Sequence, residues 1–195
     1  VYIQVTRGVA PRGHAFPADR VAPTVYAFVG TTKRASDERW AEGFSAITVP
    51  DQRWARADIK TTALTANVQA QQAAVDAGVT DAIFVRDGMI MEGSHNNVFA
   101  VIDGVVVTAP AHNYILHGIT RGYVIELARE LGYPVEERAL AVEQFRTADE
   151  VFFTGTTTEV RPTVVVDGQP IGAGAPGPVA TALQDLYVRR AMGNE

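Results

Sequence analysis

Residues 82–108 read AIFVR-DG-MIME-GSHN-NVFAVI-DG-VVVT, and this stretch decides the fold class. Its four apolar runs, Ala82–Arg86, Met89–Glu92, Asn97–Ile102 and Val105–Thr108, have strand length and strand composition. Two of the three breaks between them are Asp-Gly pairs, Asp87-Gly88 and Asp103-Gly104. That dipeptide accepts the positive φ a tight hairpin turn demands at both central positions, so the segment is a predicted antiparallel meander. The third break, Gly93-Ser94-His95-Asn96, is polar and longer than a tight turn needs. Small polar groups at strand ends can line a site; a wide loop is the plain alternative.

Upstream of the meander, a long helix is expected over about Thr61–Ala77, with Asp58 just ahead of it and Gly78 as its C-cap. Leu64, Val68 and Val75 share one face of that helix and would be its buried side. Earlier still come strands Val1–Arg7 and Thr24–Val29 around a Gly/Pro-rich loop, a helical turn at Glu38–Gly43 and strand Ser45–Val49. Strand-like alternation begins at Val1 itself, so further residues are expected upstream. Downstream, Thr120–Leu131 reads as a helix with Val124, Ile125, Leu127, Ala128 and Leu131 on its apolar side. A short helix at Ala141–Ala148, strands Val151–Thr154 and Val160–Val166 closed by Asp167-Gly168, and a terminal helix Pro178–Met192 complete the chain. Antiparallel hairpins with segregated helices indicate an α+β fold and not a doubly wound sheet.

The 195 residues carry 17 basic and 22 acidic side chains, a formal charge of −5, and 47% are hydrophobic. These values suit a folded domain and exclude disorder or a coiled coil. A pI near 5.4 argues against nucleic acid or an anionic membrane as the main partner. The chain has no cysteine, which removes disulfides and thiolate chemistry and fits a cytoplasmic setting. No apolar run reaches the ~18 residues that suggest a membrane span.

Gly172-Ala173-Gly174-Ala175-Pro176-Gly177 fits G-x-G-x-x-G in form. A dinucleotide site also needs a strand before the motif and an acid ~20 residues on, so a surface turn is the better reading. The histidines His14, His95, His112 and His117 have no metal-ligand spacing. Lysine usage is more informative: only Lys33 and Lys60 are lysines, against fifteen arginines. Lys33 lies in a polar loop and reads as surface. Lys60 enters the long helix, where burial would lower its pKa and free the amine for Schiff-base chemistry, although a lysine at a helix start is often plain surface. Gly118-Ile119-Thr120-Arg121 opens a helix and offers backbone N–H groups to an anion, or simply holds a Thr N-cap. Thr154-Gly155-Thr156-Thr157-Thr158 suits phosphate, or is a threonine-rich loop.

Taken together, Asp58-Ile59-Lys60, Glu92-Gly93-Ser94 with Asn97-Val98-Phe99, Leu116-His117-Gly118-Ile119-Thr120-Arg121 and Thr154-Gly155-Thr156-Thr157 resemble, in order and separation, the fold-type IV pyridoxal-phosphate enzymes. The resemblance covers essentially the whole chain. It implies pyridoxal 5′-phosphate as cofactor and Lys60 as the catalytic residue, forming the internal aldimine and then shuttling the proton between Cα and C4′. It gives Glu92 to the pyridine nitrogen, Leu116 to the ring face, and Gly118, Ile119, Thr120, Gly155 and Thr156 to the phosphate; it implies no metal. The opening segment Thr6–Pro17 is most similar to the D-amino-acid aminotransferase branch, in which the positions matching Arg12 and His14 trap the substrate α-carboxylate. An Arg fork with an imidazole donor suits that planar anion. His95 and Asn96 depart from the small serines of that branch.

The implied activity is transfer of an amino group from a D-amino acid such as D-alanine to a 2-oxo acid. Alternatives are a branched-chain aminotransferase, a lyase of the aminodeoxychorismate type, or a catalytically silent assembly module. The implied assembly is a homodimer. The resemblance implies that residues 1–195 correspond to the large cofactor-carrying domain, without the family's smaller N-terminal domain.

Overall fold

The computed structural model describes every residue except Met192, Asn194 and Glu195. The chain divides into two compact units, Val1–Arg34 and Ala35–Glu195. The first is a two-stranded antiparallel ribbon of β1 (Tyr2–Thr6) and β2 (Thr24–Phe28). The loop between the strands carries Arg12 and His14, both exposed. Within the ribbon Tyr2 stacks on Phe28 at 5.1 Å between ring centroids.

The second unit contains α1 (Asp37–Glu42), β3 (Phe44–Pro50), α2 (Thr65–Asp76), β4 (Asp81–Arg86), β5 (Met89–Gly93), β6 (Asn97–Ile102) and β7 (Val105–Thr108). There follow α3 (Ile119–Glu130), β8 (Val135–Glu137), β9 (Leu140–Ala141), α4 (Val142–Arg146), β10 (Glu150–Gly155), β11 (Glu159–Val166), β12 (Gln169–Pro170) and α5 (Pro178–Ala191). The expected terminal helix is thus present to Ala191; its last residue, Met192, lies outside the described residues. The strands form one sheet in the order β8-β7-β6-β10-β11-β3-β4-β5-β9, with β12 paired to β11. Most pairings are antiparallel, but β3 is parallel to both neighbours and β8 to β7.

The meander forms as its sequence demands. Asp87, Asp103 and Asp167 have φ of 51°, 50° and 51°, each followed by a glycine with positive φ. The short β8, β9 and β12 have too little alternation to be visible in sequence.

Alternation along β6 and β10 sorts side chains to the two faces of the curled sheet. Phe99, Val101 and Phe152 face α3 and α5, packing with Val124, Leu127 and Leu183. Phe99 and Phe152, opposite one another in register, stack at 5.0 Å and 7° between planes. Val98, Ala100, Val151 and Phe153 face the inside of the curl, against Ile83, Ile90 and Phe145.

Helix α2 corrects the sequence reading. It starts at Thr65, and Leu64, Val68 and Val75 are exposed. The buried face is Ala70 and Ala74, packed with Phe84 and Met91. Two methyl-sized side chains let the helix approach β4 closely, a placement the larger residues would prevent. Asn67 and Gln71 also turn inward, donating to the carbonyls of Ser94 (2.7 Å) and Thr80 (2.9 Å).

Candidate active site

The end of β5 and the start of β6 bring the polar break Gly93–Asn96 to one rim of the sheet, with Glu92 and Asn97 on either side of it. Glu92 is buried, and both its oxygens are engaged. Oε2 accepts from Asn97 Nδ2 at 2.9 Å and from the Leu116 N–H at 3.0 Å; Oε1 accepts from Arg53. A carboxylate offers about four lone-pair positions. Three donors therefore leave one acceptor position open.

Burial pushes the Glu92 carboxyl up to about 7, against the pull of Arg53 and the Leu116 N–H. Arg53 is itself nearly sealed from solvent. Its Nε and Nη2 bind Asp51 at 2.9 and 3.0 Å, and Nη2 also donates to the Tyr114 carbonyl at 2.9 Å. Its guanidinium carbon lies 4.2 Å from the centre of the Phe84 ring. Arg86 joins the same carboxylate of Asp51 at 3.2 Å and donates to the Arg53 carbonyl at 2.9 Å. The row Arg86–Asp51–Arg53–Glu92 thus alternates in charge. Burial would raise Asp51 and lower Arg53, but their pairing outweighs it: Asp51 lies below its ordinary value and Arg53 above.

Arg53 and Asp51 were missed in the sequence. Their one legible signal was an Arg among the residues just before Lys60; nothing local distinguishes it from the other fourteen arginines.

Asn97 links this network to the next element. Its Nδ2 also donates to the Leu116 carbonyl at 2.9 Å, and a Cβ added to Gly118 would lie 2.2 Å from its Oδ1. Gly118 is the N-cap of α3, with no side chain to cap it. This corrects the Thr N-cap alternative, since Thr120 lies inside the helix. The first-turn N–H groups at Ile119 and Thr120 therefore keep their affinity for an anion. The Ile119 side chain is 90% exposed and Leu116 is half-buried.

Across the sheet, Thr154 of β10 pairs opposite Asn97 of β6, so the turn holding Gly155 and Thr156 starts beside the same rim. Thr154 is 1% exposed and its hydroxyl has no partner. A Cβ on Gly155 would lie 3.2 Å from Thr158 Oγ1 and 3.5 Å from the Asn96 Cβ. Thr156 is exposed.

Lys60 lies in the loop between β3 and α2, not in the helix, and it is exposed. That corrects the expectation of a buried amine at a helix N-terminus: α2 starts five residues further on. The loop is nonetheless stitched to the Leu116 segment by Arg53 on Tyr114, by Asn113 Nδ2 on the Ala55 carbonyl at 2.7 Å and by the Asp58 N–H on the Asn113 carbonyl at 3.4 Å. Arg56 grips Asp58 with two bonds of 2.9 Å and holds its carboxyl below the usual range.

The structure thus gathers Glu92, Leu116, Gly118, Ile119 and Thr120 around Asn97, with the Lys60 loop and the Gly155–Thr156 turn adjoining. Arg12 and His14 belong to the other unit.

His95 has a defined role in the rim. Gln71 Nε2 donates to Thr80, so its Oε1 is left to accept the Ser94 hydroxyl at 2.7 Å. The Ser94 oxygen then accepts from His95 Nδ1 at 2.8 Å, which places the proton of the neutral ring on Nδ1. Desolvation of the ring, against the pull of Asp81, holds this imidazole below its ordinary value. Beside it, Asp81 is fully buried and paired with Arg161 and Asn96.

The Gly172–Gly177 loop leads into α5, but its anion position is filled from within. Glu150 accepts from the N–H groups of Val179 (2.9 Å) and Ala180 (2.8 Å), and a Cβ on Gly177 would strike Glu150.

Residues 1–166 match the family model described as amino-transferase class IV. The chain is 44% identical over 189 residues to a D-alanine aminotransferase of Bacillus licheniformis, covering 95% of this chain and 66% of that protein. It is 42% identical over 187 residues to a D-alanine aminotransferase of Staphylococcus haemolyticus, covering 96% and 66%. The chain therefore spans just under two thirds of the length of these relatives. Among solved structures, the Escherichia coli branched-chain amino acid aminotransferase superposes with a TM-score of 0.83 at 30% identity, over 98% of this chain and 65% of that one. A T.th. branched-chain amino acid aminotransferase with pyridoxamine 5′-phosphate gives 0.75 at 36% identity, over 82% and 55%.

Proposed function

The chain belongs to the class IV aminotransferases, and from that premise we propose that it is the cofactor-carrying part of a pyridoxal-phosphate transaminase moving an amino group from a D-amino acid, such as D-alanine, to a 2-oxo acid. The observation that carries this reading is Glu92, a buried carboxylate with three donors fixed and one acceptor position open. D-alanine is favoured as donor by the 44% identity to a D-alanine aminotransferase, against 30% and 36% for the branched-chain enzymes. A branched-chain substrate is the second reading, supported by the TM-score of 0.83.

The residues present fit the cofactor. The open position on Glu92 suits a protonated ring nitrogen, and the uncapped start of α3 with the partnerless Thr154 hydroxyl suits a phosphate nearby. When bound, pyridoxal phosphate supplies an electron sink for charge developing at the substrate Cα. In this proposal Lys60 would hold the cofactor, and its amine, once free, would take the proton from the substrate Cα and carry it. Glu92 would hold the protonated ring nitrogen, and Leu116 would lie against the ring face. Gly118, Ile119 and Thr120, with Gly155 and Thr156, hold the phosphate. Arg12 and His14 take the substrate α-carboxylate, within a homodimer in the cytoplasm. No described helix is long and apolar enough to cross a membrane.

Incubation with pyridoxal phosphate, borohydride reduction and peptide mapping tests the anchor. The adduct is expected on Lys60 and not Lys33, with Lys60→Ala abolishing both adduct and transamination of D-alanine. Activity surviving in Lys60→Ala, or label shared by both lysines, overturns the assignment.

A further inference from the structure

We propose that Arg53 is a positioning residue of this site: anchored by Asp51, it fixes Glu92 Oε1, draws the buried carboxyl toward its charged form, and aims it, through its open acceptor position, at the ring nitrogen of the cofactor. This rests on the proposed function for its ligand but on geometry for its mechanism.

Arg53 meets four groups at once: Asp51 through two nitrogens, Glu92 through a third, the Tyr114 carbonyl, and the face of Phe84. Such a set leaves the guanidinium no freedom to rotate away. Glu92 is fixed in turn at both oxygens, since Asn97 and the Leu116 N–H hold Oε2. The direction of the remaining lone pair is therefore set by protein groups before any ligand arrives. Asp51 supplies a second function. Its side chain is fully buried, and it takes up the charge of Arg53 together with part of that of Arg86. The four side chains sum to zero charge. Arg53 can thus favour ionised Glu92 without leaving an uncompensated positive charge to repel a protonated ring nitrogen. Lysine could not replace it, because one ammonium cannot span Asp51, Glu92 and Tyr114 together.

The test compares pyridoxal phosphate with its 1-deaza analogue, in which a C–H replaces the ring nitrogen, in the full chain with Arg53, Arg53→Lys and Arg53→Met. Dissociation constants are read by absorbance, and the Glu92 carboxyl is followed by 13C NMR in the cofactor-free proteins, its signal assigned with Glu92→Gln. Wild type is expected to prefer pyridoxal phosphate to the deaza compound at least tenfold at pH 7.5. Arg53→Met is expected to lose most of that preference and to titrate Glu92 at higher pH, with Arg53→Lys between. A preference and a titration unchanged in either folded variant overturn the proposal. If wild type binds neither compound, the functional reading fails instead, and the NMR titration alone decides whether Arg53 governs Glu92.

Discussion

Glu92→Gln isolates the energetic consequence of burying a carboxylate at the rim of the sheet. In the unfolded chain this carboxyl releases its proton near 4.5; in the folded chain it does so at about 7. Between those values the native state holds a proton that the unfolded state has lost, so rising pH favours unfolding. The contribution is fully present below 4.5 and is lost as pH climbs through 7. The difference between the two values corresponds to about 3 kcal/mol. Glutamine cannot titrate. It also presents its amide protons to donors, facing either Arg53 or the Asn97 and Leu116 N–H groups, which adds a cost that does not change with pH. The informative quantity is therefore the difference in stability between wild type and Glu92→Gln as a function of pH. Urea unfolding of the cofactor-free chain, followed by tryptophan fluorescence, measures it, since Trp40 and Trp54 both lie in the second unit. The wild-type advantage is expected to shrink by about 3 kcal/mol between pH 4 and pH 8. A difference that is flat, or that grows with pH, refutes the reasoning that burial dominates this carboxyl.

Three further predictions test the surroundings. Gly118→Ala has an allowed backbone but drives a methyl into Asn97 Oδ1, on a side chain already committed to the Glu92 and Leu116 contacts; thermal melts should show a loss of about 1–3 kcal/mol, and inorganic phosphate should bind more weakly. Glu150→Gln removes the charge that receives two N–H groups at the start of α5; a loss of about 1–2 kcal/mol is expected by urea titration, and no change would show that the carboxylate is dispensable there. On α2, Val68→Thr should alter stability by less than about 0.5 kcal/mol, whereas Ala74→Leu should cost about 1–3 kcal/mol by overpacking; the reverse order would restore the larger residues as the buried face.

Local rules carry much of this fold because its central stretch is local. The Asp-Gly turns at 87–88, 103–104 and 167–168 act through backbone preference within two residues, and the strands they join follow from alternation. The motifs around Lys60, Glu92, Gly118 and Thr156 were equally visible, since each combines residue type with short spacing. Helix α2 was read inside out, because periodicity ranks Leu64, Val68 and Val75 above alanine, while close packing on β4 selects Ala70 and Ala74. The partners of Glu92 come from positions 53, 97 and 116, which lie together only after β3, β6 and the loop before α3 assemble. The same holds for the tautomer of His95, fixed through Ser94 and Gln71 from α2. Hydrogen bonds and charge act over a few ångströms in space without regard to separation along the chain. The ordered motifs therefore carry the family resemblance and the chemistry it implies, but the electrostatic setting of Glu92 arises from contacts the linear order does not contain.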